Sequence, residues 1–121
     1  MTRAALPHRR PCVTTDATFQ GWPMTITVGL YTSDIPGGPN AGDPGEVFAD
    51  MPKGGPIAAT LADHCTTVSL ALQHGTPPAA LAKSLGRVPT WALVDGEMVQ
   101  VESPASPAGP IIAAVLGEVG E

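Results

Sequence analysis

Glycine and proline constrain this chain more than any other feature: 14 of each stand among its 121 residues. That share is nearly twice the usual one, so the chain is rich in turns and its regular elements are short. The length suits one domain, since domains mostly run about 100–150 residues. Hydrophobic residues make up 43% and charged residues 14%. A disordered chain shows the opposite balance, so a packed core is expected. No apolar run approaches the roughly 18 residues of a membrane span, and no membrane partner is expected.

Charge is unevenly placed. Six Lys and Arg stand against eleven Asp and Glu, a net charge of −5, and Arg3, Arg9 and Arg10 crowd the start. The remainder is acidic and offers no basic stripe for phosphates, which argues against duplex nucleic acid. Residues 1–16 read as a flexible basic tail and residues 17–121 as a single domain. No apolar stretch of a secretory signal follows the arginines, so a cytoplasmic location is expected. There Cys12 and Cys65 are expected as free thiols.

Periodicity supplies the elements. Within Phe19–Ser33, Met24, Ile26, Val28 and Leu30 alternate with Thr25, Thr27, Gly29 and Tyr31, the period of a half-buried strand. Residues 34–45 read as a long, mobile loop. Glu46–Met51 reads as a second strand, antiparallel to the first. Ile57, Leu61, Cys65, Val68 and Leu72 then fall on one helical stripe, with Pro56 at the first position and Gly75 as the stop. A shorter helix is expected from Thr76 as N-cap and Pro77 through Leu85, ended by Gly86. Trp91–Val94 and Glu97–Val101 flank Asp95-Gly96, a two-residue hairpin turn that pairs Leu93 with Met98 and Ala92 with Val99. Residues 103–110 read as a proline-rich spacer. Ile112, Val115, Leu116 and Val119 recur at helical spacing. The order β-β-α-α-β-β-α predicts an α+β domain, a small antiparallel sheet of about four strands with helices on one face.

Groups able to do chemistry are sparse. His64 and Cys65 are adjacent and point about 100° apart on a helix, so they do not share a metal easily. No ligand set at usable spacing is present, and neither metal nor cofactor is expected. Ser69 and Cys65 lack a nucleophile elbow, and Cys65 has no basic neighbour to activate it. No catalytic residue is assigned. Lys53, Gly54 and Gly55 run into a helix N-terminus, where backbone N–H groups favour an anion; the same residues also read as an ordinary strand-to-helix turn.

Taken in order, Gly45, Glu46, Val47 and Phe48, then Lys53 and Gly54, then Ser69, Leu70, Leu72, Gln73, Gly75 and Pro77 form a recognisable series. It resembles the TSCPD-type C-terminal domain of adenosylcobalamin-dependent (class II) ribonucleotide reductases over roughly residues 24–119. The Ser-Leu-x-Leu-Gln-x-Gly run carries most of the likeness. Where that family has its Thr-Ser-Cys-Pro-Asp segment, this chain has Arg87-Val88-Pro89-Thr90-Trp91, and it has no reducing CxxC. The resemblance therefore implies a free-standing, non-catalytic accessory or binding module linked to nucleotide metabolism, with a ribonucleotide reductase or another protein as partner. A low-charge sheet with an unpaired edge further suggests a homodimer formed through that edge or the open sheet face. The alternative is a small anion- or nucleotide-binding protein or enzyme built on the Lys53–Gly55 turn.

Overall fold

Residues 3–7, 10–19, 21–51 and 58–117 are described in the structure, a computed structural model. Alternating apolar and β-branched residues build a three-stranded antiparallel sheet from β1 (Cys12–Phe19), β2 (Trp22–Leu30) and β3 (Pro44–Asp50), with β2 in the centre. Register places Ala17 beside Met24 and sets Ile26 between Thr15 and Ala49. Met24, Ile26, Val28 and Val47 thus share one buried face, as the period-2 pattern requires. Helix α1 (Ala58–Gln73) lays Leu61, Cys65, Val68 and Leu72 on that face, and α3 (Ala108–Val115) adds Ile111, Ile112 and Val115. The short helix α2 (Pro78–Ser84) follows α1, and β4 (Arg87–Val94) with β5 (Glu97–Pro104) forms a separate two-stranded hairpin.

The α+β class and the strand–helix order after residue 22 agree with the sequence reading. Helix α1 stops where expected. Gly75 takes φ +95°, its N–H bonds the Leu72 carbonyl, and the Thr76 N–H bonds that of Ala71, a Schellman motif. The Asp95-Gly96 turn also forms with both residues at positive φ, and it pairs Leu93 with Met98 and Ala92 with Val99.

Five features differ. The expected tail is a strand from residue 12 onward, because Val13, Thr14 and Thr15 are β-branched and Gly21, at φ +82°, closes a tight turn into β2. Five strands in two sheets replace the single four-stranded sheet. Pro89 has no N–H to donate, so the outer edge of β4 is a poor template for a further strand. The N-cap of α2 is Pro77, with Pro78 at the first position, rather than Thr76. The expected spacer already enters α3 at Ala108, since Pro110 lies in its first turn, where a missing N–H costs nothing. The 34–45 loop is tied internally: the Tyr31 N–H donates to the Asp43 carbonyl, that of Gly42 to Tyr31, and that of Ala41 to the Asp34 carboxylate. Pro56, Ile57 and Val119 lie outside the described residues.

Leu61 and Leu72 are both nearly inaccessible. Replacing either with Ala is expected to lower unfolding free energy by about 2–5 kcal/mol in urea titration, the range for emptied leucine sites. His64→Ala, on the flank of the helix, should stay within about 0.5 kcal/mol of the parent.

Candidate functional site

Strand β3 borders β2 on one side only, and α1 occupies its other edge. Ser69 is the centre of the contact. Its Oγ accepts from the Val47 N–H at 2.9 Å and donates to the Val47 carbonyl at 3.3 Å, satisfying both backbone groups of one residue. One turn on, Gln73 donates Nε2–H to the Gly45 carbonyl at 2.9 Å. One turn back, the Cys65 thiol lies close to the Ala49 backbone. Residues four apart on a helix climb about 6 Å, and residues two apart on a strand advance about 6.6 Å. The two repeats match, so the side chains of α1 act as a surrogate strand.

The N-terminal segment clasps the same corner. The Ala4 N–H donates to the Gln73 carbonyl at 2.7 Å, Arg3 bonds the Gln73 side chain, and the Tyr31 hydroxyl donates to the Ala4 carbonyl. Arg10 pairs with the nearly buried Glu46. A carboxylate removed from water needs such a partner, and loss of the cation leaves an uncompensated charge. Gly29 and Gly45 make room. A Cβ on Gly29 would meet Glu46 Oε2 at 2.5 Å, and one on Gly45 would meet the Tyr31 ring at 2.5 Å.

The residues of the family-like motif are thereby accounted for one by one. Glu46, Ser69 and Gln73 converge on the β3 corner, Leu72 lies in the core and Gly75 caps α1. Phe48 does not join them: it stands exposed on the open sheet face opposite Thr27. Pro77 is the N-cap of α2, beside a cleft of about 620 Å³ that Pro39, Asp43, Leu72, Thr76 and Leu116 help to line. The Asp43 carboxylate in that cleft accepts from the Asn40 N–H. Lys53, Gly54 and Gly55 lie outside the described residues. Among the described residues no three His, Cys, Asp or Glu side chains gather as a metal site, and no helix is long and apolar enough to cross a membrane. Burial pushes the Cys65 thiol up to about 11, which leaves it a poor nucleophile at neutral pH.

A surface the sequence reading did not single out lies on the β4–β5 hairpin. Val88, Trp91, Leu93, Val94 and Met98 are all exposed, five of the nine large apolar side chains that are exposed among the described residues. Cross-strand register puts Leu93 beside Met98 and Trp91 beside Gln100 on the outer face. Ala92, Val99 and Val101 face the other way and are half-buried. The hairpin base meets the body where Thr90, Ser103 and Pro104 approach Thr18 and Phe19. The available signal was a hairpin with apolar residues on both faces, one more than a two-layer fold buries. No protein-family model, no curated protein and no solved structure matches the chain.

Ser69→Ala leaves the N–H and carbonyl of Val47 unpartnered on a buried edge, and is expected to cost about 1–3 kcal/mol by chemical denaturation. A second outcome concerns pH. Folding favours the neutral Cys65 thiol, so stability from this group is complete below its ordinary value of 9.0 and is lost as pH rises towards about 11. Cys65→Ala should flatten that part of the decline. Tyr31, also raised by burial, leaves a further decline above pH 10.

Proposed function

We propose that the chain is a non-catalytic accessory module that binds protein, of the kind carried at the C-terminus of class II ribonucleotide reductases, and that it serves nucleotide metabolism in the cytoplasm. The observation that carries this reading is the apolar outer face of a hairpin set apart from the main sheet. An exposed cluster of this kind marks interaction surfaces more often than it marks catalysis. Support also comes from Ser69, Gln73 and Glu46, whose polar groups are spent on the β3 corner rather than aimed into a cleft. Two free thiols, one of them exposed, suit a reducing compartment. A class II reductase lacking this domain is the natural heterologous partner.

Calorimetric titration of such a reductase with the purified chain tests the reading. Binding with a negative heat-capacity change, the mark of apolar burial, is the expected result, and Leu93→Lys should weaken it at least tenfold. The reading falls if there is no binding and a nucleoside diphosphate or inorganic phosphate raises the melting temperature instead, because a small ligand that binds only the folded chain must do so. That outcome would favour the anion site at Lys53–Gly55.

A further inference from the structure

Ser69 and Gln73 of α1 occupy the edge of β3, Pro89 interrupts that of β4, and β5 carries Glu97 and Glu102. The outer edge of β1 has no such guard. Cys12–Phe19 holds no proline, no Lys or Arg, and a single acid, Asp16. The Leu30 N–H bonds the Pro11 carbonyl at 3.0 Å, which sets the alternation along the strand. Val13, Thr15, Ala17 and Phe19 bond β2, while Cys12, Thr14, Asp16 and Thr18 turn their N–H and carbonyl groups outward. Among the described residues no other backbone segment bonds that edge. The hairpin base comes near β1 at its far end, Thr18 and Phe19.

We propose that β1 pairs antiparallel with β1 of a second copy of this chain, about a two-fold axis at Thr15, joining two three-stranded sheets into one. A row of outward backbone groups is matched by an extended strand. Register and charge make β1 itself that strand. Outward groups bond only outward groups, so Cys12, Thr14, Asp16 and Thr18 must face one another across the axis. With Thr15 on the axis, Thr14 stands beside the partner's Asp16 and Cys12 beside the partner's Thr18, and every outward group is satisfied. An axis at Thr14 leaves Thr18 past the end of the other strand. An axis at Asp16 sets two carboxylates side by side, which is unfavourable. The side chains already suit the Thr15 register. Thr25 Oγ1 donates to Asp16 Oδ1 at 3.2 Å, and Thr14 Oγ1 lies 3.2 Å from Thr27 Oγ1. Thr14 can therefore accept from Thr27 and donate to the partner's Asp16, once on each side of the axis. On the other face Val13 is 54% exposed although it lies opposite the buried Val28, and the pairing gives it the partner's Ala17 as a neighbour. This contact uses no residue of the β4–β5 hairpin and goes beyond the reductase-binding reading, which it does not need.

Light scattering and sedimentation at tens of micromolar test the proposal. The expected particle has twice the chain mass of 12.3 kDa. Thr14→Pro removes an outward N–H without touching the β1–β2 ladder, and should raise the dissociation constant at least tenfold. Thr14→Asp, an exposed change that sets a carboxylate against the partner's Asp16, should also weaken association several-fold. Thr14→Lys should tighten it at low salt. In a Cys12→Ser background, Thr15→Cys should crosslink two chains on mild oxidation. Facing residues of a non-hydrogen-bonded pair lie about 4.5 Å apart at Cα, within disulfide reach. Leu93→Lys should leave the dimer intact while weakening reductase binding, so the two readings fail separately. A 12.3 kDa particle at these concentrations overturns the proposal, as does a dimer that survives both Thr14→Pro and Thr14→Asp or is lost with Leu93→Lys.

Discussion

The N–H and carbonyl groups on the outer edge of β3 must find partners, because that edge is covered by protein. Ser69 takes both groups of Val47, and Gln73 takes the Gly45 carbonyl one turn further along α1. These contacts fix the rotation of α1, since only one stripe can face the strand edge while Leu61, Val68 and Leu72 face the core. They also fix the height of α1 against the strand, because the four-residue helical step and the two-residue strand step are nearly equal. A helix that satisfies an edge strand in this way removes the need for a fourth strand beside β3.

The clasp made by Arg3, Ala4 and Arg10 depends on that arrangement. Gln73 can bond Gly45 and receive Arg3 and Ala4 only because α1 ends at this corner, where Gly75 turns the chain away. Glu46, on the same strand, is nearly buried under Arg10 and fills the space that Gly29 leaves open. A motif that reads in sequence as a signature of function is, in space, a joint between helix, strand and N-terminal segment. The apolar hairpin is built from none of these residues.

Local signals carried much of the fold. The alternation in β2, the helical stripe from Leu61 to Leu72, the glycine stop at Gly75 and the Asp95-Gly96 turn each act over a few residues, and each formed. Strand β1 stands where the preceding arginines read as a tail, although Val13, Thr15, Ala17 and Phe19 alternate along it, with Thr15 and Ala17 half-buried and Phe19 buried. The joint was half legible: Ser69 and Gln73 belong to the Ser-Leu-x-Leu-Gln-x-Gly run that carries the family resemblance, but their partners Val47 and Gly45 lie more than 20 positions earlier.

The sequence by itself determined where the chain turns and which stripe of each element is apolar, since backbone dihedral limits and side-chain periodicity are local properties. It determined the α+β order for the same reason. Only the tertiary structure decided that Ser69 and Gln73 serve an edge strand, that Arg10 belongs to Glu46, and that the β4–β5 hairpin stays out of the main sheet. Those outcomes depend on how distant elements compete to satisfy the same backbone groups and bury the same surface, and no window along the chain contains both competitors.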